Sequence, residues 1–401
     1  MIIYAKVIYI FKIANSTLQK VFIFAIFIPA RAVGAINFVI LQTKILTMMK
    51  LHIFNPEHDT ALASNQFNFV APHAGREMRA DLDFLPALWA DDGDLVLVGD
   101  VAAALERMRH LRRYCAEVVF VTPADLPHLP QYCELSPWGW DRALRFQLQS
   151  SHIPSGLLPD DTQLDTIRQL SHRYWAATHL LHPLVQDNNE RVGQSSLITS
   201  IEQLASSSSP YVLKAPWSSS GRGIRYIDTL TAHQRGWAAN VIARQGALTM
   251  EPYYHKMKDF AVEFVADGTT VRYVGLSVFQ SVNGAYAGNV IASEADKRDM
   301  IARYLPFEVV ERAIDDICHI LQPLMAGRYT GPFGVDMMVI NENGPKLHPC
   351  VELNLRRTMG HVALSFDVQG TEPHRLMTIS YNGSYHFRIV TTAENCFSTV
   401  W

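Results

Sequence analysis

Short apolar runs bounded by polar turns recur from Lys50 onward and predict a strand-rich chain with helices between the strands. LHIF at Leu51 is followed by the polar turn NPEHD, and DLVLVGD (Asp94 to Asp100) and AEVVFVTP (Ala116 to Pro123) are two more such runs. Between the latter two, VAAALERMRHLRRY has helical spacing. Strand, helix and strand in that order predict a parallel α/β layer, where ligands gather at the carboxyl ends of strands. Asn55, Glu57, His58 and Asp59 follow the first strand; they are either part of such a site or a solvated turn in which Asn55 caps the next helix.

The stretch from Ser151 to Ser209 reads as helices and loops, with LPDDTQLDTIRQLSHRYWAATHLL carrying a helix start and apolar spacing. After Tyr211 the pattern turns to strands: YVLKAPW, GIRYID, a helix near Thr231 to Arg244, then ALTMEPYY. The alternating runs DFAVEFVAD and TTVRYVGLSVF flank an Asp267-Gly268 turn. A long helix is expected from Lys297 to Ala326, and GPFGVDMMVI and KLHPCVELNLR form a last hairpin across NENGP.

The chain of 401 residues holds enough material for two or three domains. Five scattered cysteines (Cys115, Cys133, Cys318, Cys350, Cys396) with no C-x-x-C pair suggest neither a disulfide framework nor a zinc site, and a cytoplasmic location is expected. Residues 1–48 differ from the rest: rich in Ile, Phe and Val, with five basic residues and no acidic one before Met48. They read as a leader from a mis-assigned start at Met48 or Met49, against an anchor, a signal or a folded element. A chain starting at Met49 is accordingly expected to be soluble. Because residues 1–47 hold five of the 35 basic residues and none of the 38 acidic ones, the remainder carries about −8, which disfavours a nucleic-acid partner. The expected domains are an α/β domain at 49–150, linker helices with a first α+β subdomain at 151–250, and a core subdomain at 251–401.

The last hairpin carries the clearest chemistry. Asp336 and Glu352 each lie eight residues from Gly344, so a turn centred there sets them opposite each other. Alternation then puts Glu352, Asn354 and Arg356 on one face and Val351, Leu353 and Leu355 in the core. Two carboxylates and an amide oxygen at one point suit Mg²⁺, with Mn²⁺ as an alternative, and Arg356 can grip a phosphate oxygen with its planar fork. The other reading is a surface hairpin of alternating polar residues. In YVLKAPWSSSGRGI, Lys214 is one charge on an apolar strand; Ser218, Ser219 and Ser220 add hydroxyls, and Gly221 and Gly223 allow a loop to fold over an anion. A flexible turn would have the same composition.

Taken in order from about Ser171 to Met359, these pieces resemble the ATP-grasp superfamily: a lysine strand with a glycine-rich lid, the strand TMEPYY, an antiparallel core, G-x-D in GVD and E-x-N-x-R in ELNLR. The resemblance implies an α/β and α+β chain, a parallel α/β domain followed by two α+β subdomains that clasp a nucleotide. It implies that Lys214 contacts the phosphates and that Ser218, Ser219, Ser220, Gly221 and Gly223 form a mobile lid. Glu251, Pro252 and Tyr253 would line the adenine and ribose pocket. Asp336, Glu352 and Asn354 would hold one or two Mg²⁺, and Arg356 would stabilise the transferring phosphoryl group. Where the family often has a lysine ahead of the lid, this chain departs from it with Arg173, which the resemblance makes a nucleotide contact.

Most members are ligases, so the implied activity joins a substrate carboxylate to an amine or thiol through an acylphosphate, with ATP giving ADP and phosphate. Rival readings are a small-molecule kinase and a regulatory nucleotide-binding protein. The expected partners are a small carboxylate and an amine, with no nucleic acid and no membrane unless residues 1–47 are retained; a homo-oligomer is compatible with the sequence. Asn55, His58, His73, Arg76 and Arg79 could line an acidic-substrate pocket or be ordinary surface polarity, and Arg272 and the loop Ser281 to Asn289 are near the grasp by order alone.

Overall fold

A computed structural model of the chain describes residues 4–10, 23–29, 49–129, 133–206, 210–218, 221–282, 285–366, 368 and 374–391. Contacts divide it into two units, residues 1–47 and 48–401. In the first, β1 (Tyr4–Ile10) and β2 (Ile23–Pro29) pair antiparallel, Tyr4 opposite Pro29. No helix among the described residues is long and apolar enough to cross a membrane.

The second unit opens with a parallel sheet. Strands β3 (Lys50–Ile53), β4 (Leu95–Leu97), β5 (Val119–Val121) and β6 (Glu134–Pro137) lie in the order β5-β4-β3-β6. The first three are the predicted runs. ELSP, with one leucine among polar residues, offers too little apolar pattern to be read as a strand, yet Leu135 is buried. Around the sheet run α1 (His58–Ser64), α2 (His73–Leu82), α3 (Val101–Met108) and α4 (Arg142–Ser150). Helix α5 (Asp161–Leu170) starts where expected, because Asp160 and Gln163 exchange side-chain and backbone bonds in a capping box. The short helices α6 (Arg173–Ala176) and α7 (His182–Val185) follow, joined by a π-helical turn at Ala177–Leu181.

A mixed α+β layer comes next. Strands β7 (Ser196–Ile198), β8 (Tyr211–Lys214), β9 (Ile224–Ile227) and β10 (Leu248–Pro252) order as β7-β10-β8-β9, covered by α8 (Ala232–Gln245). Strand β10 carries the chain across residues 250 and 251. Helix α8 is closed by a Thr231–Gln234 capping box and by Gly246, whose φ of 87° is open to glycine.

The remaining strands are β11 (Lys256–Asp267), β12 (Val271–Ser277), β13 (Phe279–Val282), β14 (Ala285–Ile291), β15 (Thr330–Asn341), β16 (Pro345–Asn354), β17 (Arg375–Tyr381) and β18 (Tyr385–Thr391). They form two antiparallel sheets, β12-β11-β15-β16 and β13-β14-β17-β18. TTVRYVGLSVF is therefore divided: it leaves the core sheet at Ser277, and Phe279 enters another. The predicted long helix is also two, α9 (Glu294–Ala302) and α10 (Phe307–Met325), because Pro306 cannot continue a helix and stands at the start of the second. Val310, Ala313, Ile317 and Leu321 of α10 are fully buried in the largest core with Phe260, Phe264 and Val335. The hairpin at NENGP is not the last one, since β17 and β18 pair beyond α11 (Met359–Leu364).

Candidate active site

The β15–β16 hairpin positions the acidic residues. Asn341 faces Pro345, so the turn centres on Asn343, with φ of 57° at Asn343 and 121° at Gly344. The predicted centre at Gly344 is one residue off. A bulge then sets Pro349, Cys350 and Val351 against Met337 alone, and this excess brings Asp336 opposite Glu352 and Gly334 opposite Asn354. Pro349 has no N–H to give the ladder and fits the bulge. Leu353 and Leu355 are buried as alternation requires, but Val351, inside the bulge, is only half-buried.

Directly opposed residues share a sheet face. On that face β11 adds Ala261 opposite Asp336 and Glu263 opposite Gly334. Glu263 was not singled out from the sequence; its signal was a carboxylate inside the apolar run FAVEFVAD. It is 1% exposed, and His361 Nδ1 lies 3.0 Å from its Oε2. Burial, then Glu352 and Glu263, push the Asp336 carboxyl well above the usual carboxylate range, and Arg356 opposes them only in part. A bound cation would relieve that excess of negative charge. Among the described residues no group of three or more His, Cys, Asp and Glu is arranged to hold a metal. The donor set that fits a hard cation is Asp336, Glu352 and the amide oxygen of Asn354.

Arg173, at the start of α6, links this face to the β8–β9 loop. Its Nη2 lies 2.6 Å from Glu352 Oε1 and donates to Ser218 Oγ at 3.2 Å, while Nε donates to the Ala215 carbonyl at 2.9 Å. The side chain is buried, and Nη1 has no partner. Such an orphaned cationic donor is costly unless an anion completes it.

Lys214 is buried on β8, as the apolar run predicts, but it is not a free point charge. Its Nζ lies 2.5 Å from Glu251 Oε2 on the neighbouring β10, and both residues are under a tenth exposed. Pro252 and Tyr253, at and just beyond the end of β10, are exposed, with the Tyr253 ring edge-on to Tyr226 and His255. In the loop, Ala215 N–H donates to the Gly223 carbonyl at 2.8 Å, and Gly221 has φ of 70°. A Cβ at Gly223 would come within 2.4 Å of Ser218 Cβ, so this close approach requires glycine. Ser219 and Ser220 lie outside the described residues.

Arg356 meets a partner from the parallel layer. Its Nε and Nη2 donate to Asp59 on α1, Nη2 reaching Oδ2 at 2.7 Å, and Nη2 also donates to Asn354 Oδ1 at 3.0 Å. Burial works against ionisation of Asp59, but Arg356, with His58 and Arg173 behind it, outweighs that and holds its carboxyl below the ordinary range. Of the residues after the first strand, Asp59 is thus the one that joins the site. Asn55 is not the α1 cap: Glu57 occupies that position, and Asn55 donates to the Gly139 carbonyl at 2.8 Å. His58 Nδ1 lies 3.1 Å from Asp141 Oδ2, and both residues are buried. Arg79 pairs with Glu57 at 2.7 Å, Arg76 donates to the Ala71 carbonyl, and His73 pairs with Glu77. Asn55 and Arg79 border one small cavity with Glu57 and Asp141, the partner of His58. Arg272 is exposed on β12, and residues 283–284 of the Ser281 to Asn289 loop lie outside the described residues.

No family model matches the sequence, and no curated protein does. Solved structures align with it at low identity. An ATP-grasp superfamily protein from Archaeoglobus fulgidus aligns at 13% identity over 86% of this chain and 100% of its own, with a TM-score of 0.44. N5-carboxyaminoimidazole synthetase from Staphylococcus aureus, complexed with ADP, aligns at 12% identity over 83% of this chain and 82% of its own, TM-score 0.43. Biotin carboxylase from Campylobacter jejuni, in a β-γ-ATP complex, aligns at 11% over 83% and 76%, TM-score 0.45.

Proposed function

We propose that the protein is an ATP-dependent ligase that joins a small-molecule carboxylate to an amine, or to a thiol, through an acylphosphate. The observation that carries this reading is the opposition of Asp336 and Glu352 with Asn354 on one face of the core sheet, beside Arg173 and Arg356. Two acids held together with the Asp336 proton affinity raised call for a cation, and two arginines beside them call for an anion. A metal–phosphate complex supplies both.

In this reading Asp336, Glu352 and Asn354 hold Mg²⁺, which neutralises phosphate charge when bound. Lys214, Arg173 and Ser218 bind phosphate oxygens, and Glu251 to Tyr253 border the base and ribose. A substrate carboxylate oxygen attacks the γ-phosphorus and ADP leaves. An amine then attacks the acyl carbon, phosphate leaves with the carbon–oxygen bond pair, and the amine proton passes to solvent. The protein's part is positioning and charge neutralisation, which needs no protein nucleophile.

A metabolite screen for ADP release tests this. Release should require Mg²⁺, a carboxylate and an amine together; release with one acceptor alone would indicate a kinase, and nucleotide binding without release a regulatory protein. Glu352→Gln is expected to lower Mg-dependent turnover by on the order of a hundredfold or more. Full Mg-dependent turnover in that variant would remove the metal assignment.

A further inference from the structure

We infer that Asp59 is a positioning residue for Arg356: the α1 carboxylate fixes the guanidinium so that it meets the terminal phosphate of the nucleotide. The parallel layer thereby supplies part of the active site. This rests on the proposed nucleotide reading and extends it to a residue outside the E-x-N-x-R segment.

The geometry is that of a held fork. Nε lies 3.1 and 3.0 Å from the two Asp59 oxygens, and Nη2 lies 2.7 Å from Oδ2. Nη2 donates its other proton to Asn354 Oδ1 at 3.0 Å, and Nη1 donates one to the Arg357 carbonyl at 3.1 Å. A guanidinium has five N–H groups, so these bonds leave one, on Nη1, uncommitted. Both side chains are 15% exposed, which distinguishes the pair from a solvated surface ion pair. The next residue is anchored to the same layer: Arg357 N–H donates to the Trp138 carbonyl at 2.9 Å, and its guanidinium lies over the Trp89 ring at 4.7 Å. Without Asp59 only the Asn354 and Arg357 contacts would hold the Arg356 fork, one on each terminal nitrogen, and the remaining N–H would be less closely directed.

The same contacts would arise if Asp59 merely stood in for a substrate anion that displaces it. Nucleotide discrimination separates the two. Calorimetric affinities for Mg-ADP and for the Mg complex of the β,γ-imido analogue of ATP are measured on wild type, Asp59→Asn, Asp59→Glu and Arg356→Ala, with thermal melts as a folding control. Wild type should prefer the imido analogue, and Arg356→Ala should abolish the preference. Asp59→Asn should lower it by about tenfold while Mg-ADP affinity stays within about twofold. Asp59→Glu, which keeps a carboxylate one methylene further out, should fall between and carries the test if the Asn variant does not fold. A purely structural role would move the melting temperature and leave the ratio unchanged. Wild-type preference in the Asp59 variants, or tighter binding of the imido analogue, would overturn this inference alone. A wild type that binds neither nucleotide would overturn the proposed function and this inference with it.

Discussion

Lys214 shows how a charge proposed to meet phosphate is also placed to be structural. Its ammonium is buried 2.5 Å from Glu251, so a substitution that keeps the stem and removes the charge strands a carboxylate in the interior. Removing one partner of a buried pair costs about 3–5 kcal/mol, whereas removing both is often close to neutral. Lys214→Met should therefore lower the denaturant midpoint, and adding Glu251→Gln should recover most of the loss. Mg-ATP binding should stay weak in the double variant, because the proposed phosphate contact is absent from both. If the second change restored nothing, the pair would not be energetically coupled. Arg173 carries the opposite imbalance: with Glu352 and Ser218 on one terminal nitrogen and nothing on the other, it has capacity for one more acceptor.

At the scale of elements, the described ends of the loop between β8 and β9 are held together by packing of Gly223 against Ser218 and by the Ala215–Gly223 hydrogen bond. Gly223→Ala would drive a methyl against Ser218 and break the register of the Ala215–Gly223 contact. The expected cost is about 1–3 kcal/mol, together with weaker nucleotide binding as Ser218 leaves Arg173; calorimetry with Mg-ADP and a thermal melt would measure both. Alternation and turn chemistry made most strands legible, including β8, β10, β11 and β15. Compensation hid more. The Asp336–Glu352 pairing follows from counting to Gly344 only because a tighter turn and a bulge at Pro349 cancel, and neither was readable from a one-dimensional pattern. The strands β6 and β7 escaped because each sets only one or two aliphatic residues among polar ones, and β12 and β13 merged because nothing local marks a change of sheet at Val278. The buried Glu263 and the Asp59–Arg356 pair, 297 residues apart, depend on tertiary placement.

The whole molecule has a predictable response to pH. Asp83 is 6% exposed; burial pushes its carboxyl up to about 6, although Gly99 N–H donates to it at 2.8 Å and Arg107 and Arg79 lie nearby. Its acid form is favoured by folding, so its contribution is full below about pH 4 and is lost as pH rises through about 6. Asp83→Asn should then be no better than wild type near pH 4 and more stable at pH 7.5, by up to about 3 kcal/mol for a shift of about two units. Denaturant titrations at the two pH values check this; an advantage that did not grow with pH would refute it. The core beside Asp83 closes over a long span of chain. Phe54 and Leu82 share it with Phe366, Met377 and Phe387, and His110 Nε2 lies 2.9 Å from the Phe387 carbonyl. During synthesis the early residues must therefore wait for the late ones. At about 5–20 residues per second, more than three hundred residues separate Phe54 from Phe387 by roughly a quarter of a minute to a minute, during which that apolar surface is uncovered. The parallel layer, made well before the strands that cover it, is among the last parts of its unit to be finished.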